Sequence, residues 1–331
     1  MSFRKLTRAL VALVALSAVV AGCSSQGGAQ QQQGGGGGGT GGNVGGQRHT
    51  IAMITHEQPG DTFWDRIRAG AEDAAKAHNI DLKYSNAQAG PEQATLVQNA
   101  IDSQVDGIAV TLAYLEQVGP TAKAAAERGI PTVAFNAGIE QYRQYGAKMY
   151  FGSDESLAGQ AAGQRLTQDG AQKAVCVIQE QGHVALEARC AGVKKTFPNT
   201  EVLYVQGTDL AQVRSTIGAK LQEDPSITHI VTLGAPWALT ALESVADAGS
   251  KAKVATFDLN VDAAKAIQDG KIMFAVDQQP YVQGYLSVAS LWLNLTNGND
   301  LGGGGPVLTG PSFVDKSNID QIVPYAQNNK R

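Results

Sequence analysis

The sequence lacks the features of a multi-span membrane protein and of a nucleic-acid-binding protein. Beyond the N-terminal segment there is no run of 18 apolar residues, so no second membrane anchor is predicted. Removal of Arg4, Lys5 and Arg8 with that segment leaves 23 basic against 30 acidic residues, a net charge of −7. With no basic patch in the sequence, nucleic acid is not an expected partner.

Signature motifs of catalysis are also missing. The sequence has no G-x-S-x-G, no P-loop and no C-x-x-C, and "HEQPG" departs from H-E-x-x-H at Gly60. His56 and His183 follow predicted strands, where histidines more often make hydrogen bonds in loops than bind metal. We therefore expect a binding protein with no cofactor and no metal. A cleft glycosidase is the enzymatic alternative, but no obvious second acid accompanies Asp258 at the strand ends.

The N-terminus has the layout of a secretory signal, predicted at residues 1–22. A basic start, an apolar core and the small pair Ala21-Gly22 precede Cys23. "VAGC" resembles the bacterial lipobox, in which the signal is cleaved before a cysteine that then carries lipid. Residues 23–47 follow as a Gly- and Gln-rich tether that cannot offset its ordering entropy by burial. This predicts a lipoprotein held at the outer face of the cytoplasmic membrane, with a tether that lifts its folded part off the membrane surface.

The other two cysteines, Cys176 and Cys190, form an even pair in an oxidising compartment. Cys176 lies in a predicted strand, "AVCVIQ", and Cys190 in the helix pattern that follows. A helix that folds back on its own strand brings the two alpha carbons within about 4.4–6.8 Å, the range of a disulfide. We expect the disulfide; two buried free thiols are the alternative.

From residue 48 onward, short Val- and Ile-rich runs alternate with Ala-rich helical patterns in two successive series. The runs are continuously apolar, as strands covered on both faces require. This predicts an α/β fold of two doubly wound parallel-sheet lobes. Ligands of such sheets bind at the carboxyl ends of the strands. Those ends are rich in amides, hydroxyls and aromatic rings but carry few charges, which favours a neutral, hydroxyl-bearing ligand.

The chain from about His49 to Asp315 resembles the ribose-binding-protein type of periplasmic sugar receptor. The resemblance rests on an ordered series of segments: "TFWDRIRAGAEDAA", "DGIAVT", "GIPTVAFN", "FGSDESLAGQAAG", "ARCAGV", "FDLNVDAAKAIQDGK" and "VDQQPYVQGY". It implies a type I periplasmic binding protein, monomeric, with a three-segment hinge. The implied first lobe comprises residues 48–153 plus 280–309, and the implied second lobe comprises 154–279 plus 310–331.

The resemblance also implies ligand-binding residues. Phe63 and Trp64 match the aromatic pair that sandwiches a sugar, and since Phe63 lies on the apolar helix face, Trp64 is expected to be the exposed stacking ring. The polar contacts implied by position are Asp61, Asn136, Arg189, Asp258 and Gln278, and the strand-end list adds Asn260. The family's frequent Asp-Arg pair is Asn136-Ala137 here, and Gly234 replaces a polar residue, so Trp237 or Leu210 is expected to cover one face of the ligand. Fewer charged groups favour a smaller or acyclic polyol, or a pentose.

The implied function is capture of a neutral sugar or sugar alcohol by hinge closure and delivery to the permease subunits of an ABC importer. A receptor that reports a sugar or furanose-like signal to a chemoreceptor or sensor kinase is the alternative, and its sequence would look the same. A repressor role is excluded because a signal and tether stand where a helix-turn-helix would be needed.

Overall fold

Two six-stranded sheets organise residues 47–331, which are the residues that the computed structural model describes. The predicted signal, Cys23 and residues 24–46 of the tether lie outside this described range. The two-lobe α/β fold predicted from the alternating pattern is confirmed. Within residues 47–331, no helix is long and apolar enough to cross a bilayer.

The first sheet has the strand order β11-β5-β4-β3-β1-β2, and every neighbouring pair is parallel. Its strands are β1 (Thr50–Thr55), β2 (Asp81–Asn86), β3 (Gly107–Thr111), β4 (Thr132–Phe135), β5 (Met149–Ser153) and β11 (Val307–Gly310). Helices α1 (Phe63–Ala77), α2 (Gly90–Asp102), α3 (Leu115–Glu127) and α9 (Pro280–Asn297) cover it. These elements form the first lobe.

The second sheet repeats this arrangement in the order β12-β10-β9-β8-β6-β7. Its strands are β6 (Ala174–Ile178), β7 (Thr200–Tyr204), β8 (His229–Thr232), β9 (Lys253–Phe257), β10 (Ile272–Asp277) and β12 (Ser312–Asp315). The helices of this second lobe are α4 (Glu155–Gln168), α5 (Val184–Thr196), α6 (Leu210–Glu223), α7 (Ala235–Asp247), α8 (Val261–Gln268) and α10 (Ile319–Ala326). No helical pattern predicted α10, which is short and contains Pro324.

The chain passes between the two sheets three times: after β5, after β10, and from β11 to β12 at Gly310-Pro311. β5 and β11 both lead into a crossing at their carboxyl ends, so they run in the same direction and pair in parallel. β10 leaves the second sheet where β12 enters it, so that pair is antiparallel. The last two extended segments therefore divide between the sheets, with β11 in the first and β12 in the second.

Polar side chains define several helix starts near the carboxyl edge of each sheet. Asp154 accepts from the Leu157 amide at the start of α4 (2.9 Å), and Asp209 does the same for Gln212 in α6 (3.0 Å). These caps satisfy amides that have no partner within the helix. In the second lobe, Cys176 of β6 and Cys190 of α5 form a disulfide, with alpha carbons 5.7 Å apart.

Helices α1 and α9 approach each other closely because glycines face backbone on both sides. Gly70 lies against the Tyr281 carbonyl, and Gly284 lies against the Ile67 carbonyl. α9 follows the second crossing, so this contact fixes the hinge-proximal helix to the first lobe.

We predict that Gly284→Ala destabilises the protein, because the added methyl group would overlap the Ile67 carbonyl oxygen. Overpacking of this kind costs about 2 kcal/mol. The matched control is Gly218→Ala in α6, where nothing lies within 4 Å of an added methyl group. That change should stabilise the protein by about 0.5–1 kcal/mol. Denaturant unfolding of both variants checks the prediction, and equal stabilities would contradict it.

Candidate functional site

The carboxyl ends of the two sheets face each other across a cleft, and the lobes touch there. Nε2 of His56, after β1, lies 2.8 Å from Nε2 of His183, after β6. The Tyr114 hydroxyl donates to Glu180 Oε2 across the same gap (3.3 Å). These contacts join one lobe to the other, so the structure shows the cleft closed.

A small cavity of about 30 Å³ lies inside the closed cleft. Seven of the nine predicted ligand-binding residues line it: Asp61, Phe63, Trp64, Asn136, Arg189, Asp258 and Gln278. The other lining residues are His56, Gln179, Glu180, His183, Leu186 and Leu233. A groove of about 610 Å³ adjoins the cavity at Gln179 and Glu180 and opens to solvent. Because the cavity has room for only about two water molecules, a sugar-sized ring enters only when the lobes part.

Arg189 is the buried cation of the cavity, and its main partner is an acid that sequence reasoning missed. Its Nε and Nη2 donate to the two carboxylate oxygens of Glu155 (2.6 and 3.1 Å). Nη1 donates to the Leu233 carbonyl (3.3 Å) and lies 3.7 Å from Asp258 Oδ2. Burial opposes the charge of Arg189, but the neighbouring carboxylates outweigh it and raise its pKa. The guanidinium is therefore fixed by Glu155 and presents one edge to the cavity.

Three cavity acids are poorly solvated and shifted toward their neutral forms. Burial raises the pKa of Asp258 to about 7, although Arg189 lowers it in part. Burial likewise raises the pKa of Asp61 to about 6 and that of Glu180 to about 8. With Arg189 already paired to Glu155, the cavity holds little uncompensated charge. Such a site suits a neutral molecule that both donates and accepts hydrogen bonds.

Asn136 and Asp258 occupy equivalent places in the two lobes, directly after β4 and β9. Both have left-handed backbones, with φ of 64° and 61°. Their amides donate to Phe151 O (2.9 Å) and Val276 O (3.0 Å) of the neighbouring strands. Among non-glycine residues, Asn and Asp are the types most often found in this conformation. Both residues line the cavity.

The aromatic pair lies at the cavity but is more enclosed than expected. Trp64 is only 2% exposed, so the expectation of an exposed stacking ring is wrong for the closed cleft. Its ring meets His56 edge-on at 4.7 Å and Phe63 edge-on at 5.2 Å between centroids. The closed lobes, together with this aromatic packing, exclude solvent from the ring.

Two predicted residues do not line the cavity. Trp237 packs in the second lobe's core, and its Nε1–H donates to the Gly207 carbonyl (3.1 Å). Its position near a strand end suggested a cavity wall, but the helical turn of α7 points the ring into the core. Asn260 caps α8: its side-chain oxygen accepts from the Ala263 amide (2.7 Å). That oxygen is therefore already bonded within the second lobe.

Three residues that line the cavity, and Glu155 behind it, had weak or no sequence signal. Glu155 directly follows the capping Asp154, so its burial beside Arg189 is invisible without the packing of α4 on α5. Glu180 lies in the strand-end loop after β6, a signal that marked the segment but not the residue. His56 and His183 were interpreted as separate loop residues, and their contact depends on how the lobes meet.

Comparison with known proteins agrees with this architecture. The family described as "Periplasmic binding protein domain" matches residues 51–300. A carbohydrate transporter from Acidothermus cellulolyticus 11B, solved in complex with myo-inositol, is 53% identical with a TM-score of 0.85. That match covers 86% of this chain and 100% of the other chain.

Two curated relatives are more distant. The xylose/arabinose-binding protein XylF of Sulfolobus acidocaldarius is 26% identical over 298 residues, or 83% of this chain and 72% of that protein. The ribose import binding protein RbsB of Bacillus subtilis (strain 168) is 23% identical over 252 residues, or 74% of this chain and 81% of that protein. The expected resemblance to ribose-binding-type proteins is confirmed.

We predict that Asp258→Asn stabilises the protein at pH 8. Folding raises the pKa of Asp258 to about 7, so its ionised form is disfavoured in the folded state. The resulting penalty is absent below about pH 4 and grows as the pH rises toward 7. An amide avoids the penalty and tolerates the left-handed backbone, so we expect a gain of about 2 kcal/mol at pH 8 and little at pH 4.

Denaturant unfolding at the two pH values measures this difference. The control is Asp262→Asn, an exposed acid on α8, which should have little effect at either pH. A loss of stability at pH 8 would show instead that the Asp258 charge is held favourably by Arg189.

Proposed function

The chain belongs to the family of periplasmic binding protein domains, and from this we propose that it binds a neutral, hydroxyl-rich ring without chemical turnover. The observation that carries the proposal is the closed interlobe cavity, where amides and acids with raised pKa values surround one paired guanidinium. Hydroxyl groups donate to carboxylates and accept from amides and Arg189, so they satisfy groups that would otherwise lose water on closure.

The favoured ligand is a cyclitol, with myo-inositol as the first compound to test. The Acidothermus cellulolyticus protein, 53% identical, was solved with that compound. A ring with hydroxyls on every carbon suits a cavity that has polar groups from both lobes, such as Asp61 and Asn136 from the first and Asp258 from the second. Pentoses are the second candidate, because XylF of Sulfolobus acidocaldarius is named for xylose and arabinose.

We propose capture by hinge closure between a first lobe of residues 48–153 plus 280–309 and a second lobe of 154–279 plus 310–331. The ligand contacts both lobes only in the closed form, so binding shifts the population toward closure. Delivery to the permease subunits of an ABC importer then follows from recognition of the closed shape by the membrane partner. A sensory receptor would use the same closure. Measuring both ligand uptake and signalling in cells that lack this protein distinguishes a transport role from a sensory role.

We further propose that a lipid on Cys23 anchors the protein at the outer face of the cytoplasmic membrane. The Gly- and Gln-rich sequence from Ser24 to Gln47 would then link that anchor to the binding domain. The link would keep the binding domain near the importer.

We predict that myo-inositol raises the melting temperature of the protein. At a hundredfold excess over the dissociation constant, a ligand that binds only the folded state adds about 2.7 kcal/mol, or about 5 °C. Asp258→Asn should abolish this shift, because it removes a carboxylate that lines the cavity, whereas the exposed control Asp262→Asn should retain it. Differential scanning fluorimetry against cyclitols, pentoses, hexoses and linear polyols makes the comparison, and no shift with any of them would refute the proposed ligand class.

We predict that Cys23→Ser releases the protein from membranes into the soluble fraction, because serine cannot carry the thioether-linked lipid. The neighbouring change Ser24→Ala serves as the control and should leave the protein membrane-bound. Fractionation of expressing cells with labelled fatty acid checks both the location and the modification. Membrane attachment of the Cys23→Ser variant would contradict the anchor.

A further inference from the structure

A pair of buried histidines connects the lobes at the cavity. His56 is 2% exposed and His183 is 3% exposed, and their Nε2 atoms are 2.8 Å apart. Their rings cross edge-on, with centroids 4.6 Å apart. At this distance one Nε2 must carry a hydrogen and the other must offer a lone pair.

Hydrogen bonds on the outer edges of the rings decide which nitrogen donates. The Ala185 amide donates to His183 Nδ1 (3.2 Å), so that nitrogen is unprotonated and His183 carries its hydrogen on Nε2. Nε2 of His56 must then accept, which places the His56 hydrogen on Nδ1, 2.7 Å from Thr111 Oγ1. Each ring is held in one neutral tautomer by a partner in its own lobe.

This arrangement leaves no place for an added proton. A proton on His56 Nε2 would point at the hydrogen of His183 Nε2, and a proton on His183 Nδ1 would point at the Ala185 N–H. Either event breaks a hydrogen bond and brings two donors together. Opening of the lobes separates the rings and lets solvent reach them, which removes the conflict.

We propose that the contact between His56 and His183 is a proton-sensitive latch that holds the lobes closed at neutral pH and weakens in acid. The proposal rests on the proposed function in one respect: closure is read through ligand retention, which requires the cavity to widen around the ring while the histidine contact persists. Both histidines are positioning residues, because all four ring nitrogens have partners in the protein and none is free for a ligand.

The surroundings favour neutral rings. Burial, followed by the charge of Arg189, lowers the pKa of His183 to about 3. Burial, His183 and Arg189 lower the pKa of His56 well below its ordinary range. Since an exposed histidine titrates near 6.5, closure requires deprotonation of both rings below that pH. The latch is therefore fully present above about pH 7 and is progressively lost as the pH falls through 6.5.

Other titratable groups face the pair, and the acids among them act in the opposite direction. From the first lobe these are Asp61 and Tyr114, and from the second lobe Glu180, Arg189 and Asp258. The three acids have raised pKa values in the closed cleft, so they take up protons on closure in mild acid. The pH profile of the unmodified protein mixes both effects, and only variants of the two histidines isolate the latch.

A metal ion is the competing occupant of this place. Ligand atoms of His56, Glu180 and His183 lie within 4.8 Å of one another. Coordination through His183 Nε2 would move its hydrogen to Nδ1, against the Ala185 N–H. A separation of 2.8 Å between the two nitrogens is also that of a hydrogen bond. The geometry therefore favours the latch over a metal site.

The first experiment reads the tautomers directly and needs no bound ligand. The sequence has five histidines, so nitrogen-15 NMR of histidine-labelled protein resolves each ring. At pH 7.5 we expect one neutral ring with its hydrogen on Nδ1, and this signal should be missing in His56→Asn. The spectra are recorded with and without myo-inositol. Absence of the Nδ1–H tautomer under both conditions overturns the latch.

The second experiment measures the dissociation constant of myo-inositol for His56→Asn, His183→Asn and the double variant. Asparagine keeps a polar atom near the position of Nδ1 and removes only the Nε2 edge. At pH 7.5, in EDTA, each single change should weaken binding about fivefold, and the double change should weaken it no further. The control is His78→Asn, at the far end of α1, which should bind like the unmodified protein.

The pH dependence gives the decisive ratio. The ratio of the variant's dissociation constant to that of the unmodified protein should fall roughly tenfold between pH 7.5 and 5.5, because only the unmodified protein must deprotonate that ring on closure. Each single variant should therefore change from about fivefold weaker binding at pH 7.5 to about twofold tighter binding at pH 5.5. A ratio that is constant with pH, or additive effects of the two changes, overturns the latch. Tighter binding on addition of Zn²⁺ that requires both histidines would assign a metal site instead. If no ring compound binds but the Nδ1–H tautomer is present, the proposed function fails and the latch stands.

Discussion

The buried guanidinium of Arg189 is the charge around which the cleft is organised. Two hydrogen bonds to Glu155 compensate it within the second lobe, so a cation persists between two sheets without help from the first lobe. Breaking such a pair costs about 3–5 kcal/mol, whereas an intact one contributes little net stability. Its role is therefore positional: it holds a fixed donor edge toward Asp258 and the cavity. The same charge disfavours protonation of His56 and His183, which ties the electrostatics of the site to the contact between the lobes.

The geometry of the site depends on how the fourth strand of each sheet ends. Asn136 and Asp258 adopt the left-handed conformation while their amides remain bonded to the next strand. The backbone therefore turns sharply without leaving the sheet, and a short polar side chain reaches the cleft from each lobe. Strain of this kind is typical of functional sites. Asn136 and Asp258 therefore occupy equivalent positions in the two lobes, and the internal repeat of the fold relates the two cavity walls that they form.

Periodicity was sufficient to predict the strands, most helices and the strand-end location of the cavity. Polar residues directly after apolar runs, such as Asp258 after "VATF", identify cleft positions because the sheet geometry leaves them no other place. The errors occurred where tertiary packing determines the position of a side chain. Trp237 follows a strand end too, but one helical turn takes its ring into the core. Glu155 and Arg189 are 34 residues apart, and only the packing of α4 on α5 brings them together.

The second and third crossings are bonded to each other, and this limits the motion available to the lobes. Gln283 donates to Gln278 Oε1 (2.9 Å) and to Thr309 Oγ1 (3.1 Å), while Gln279 donates to the Thr309 carbonyl (2.7 Å). Gln279, between β10 and α9, has a positive φ of 54°, so the backbone changes direction sharply at this residue. A cross-bonded hinge favours rotation about one axis over sliding. The opposed cleft walls are polar, so water stabilises them in the open form, and closure must be sustained by hydrogen bonds that replace that water. The histidine pair supplies one such bond directly between the lobes.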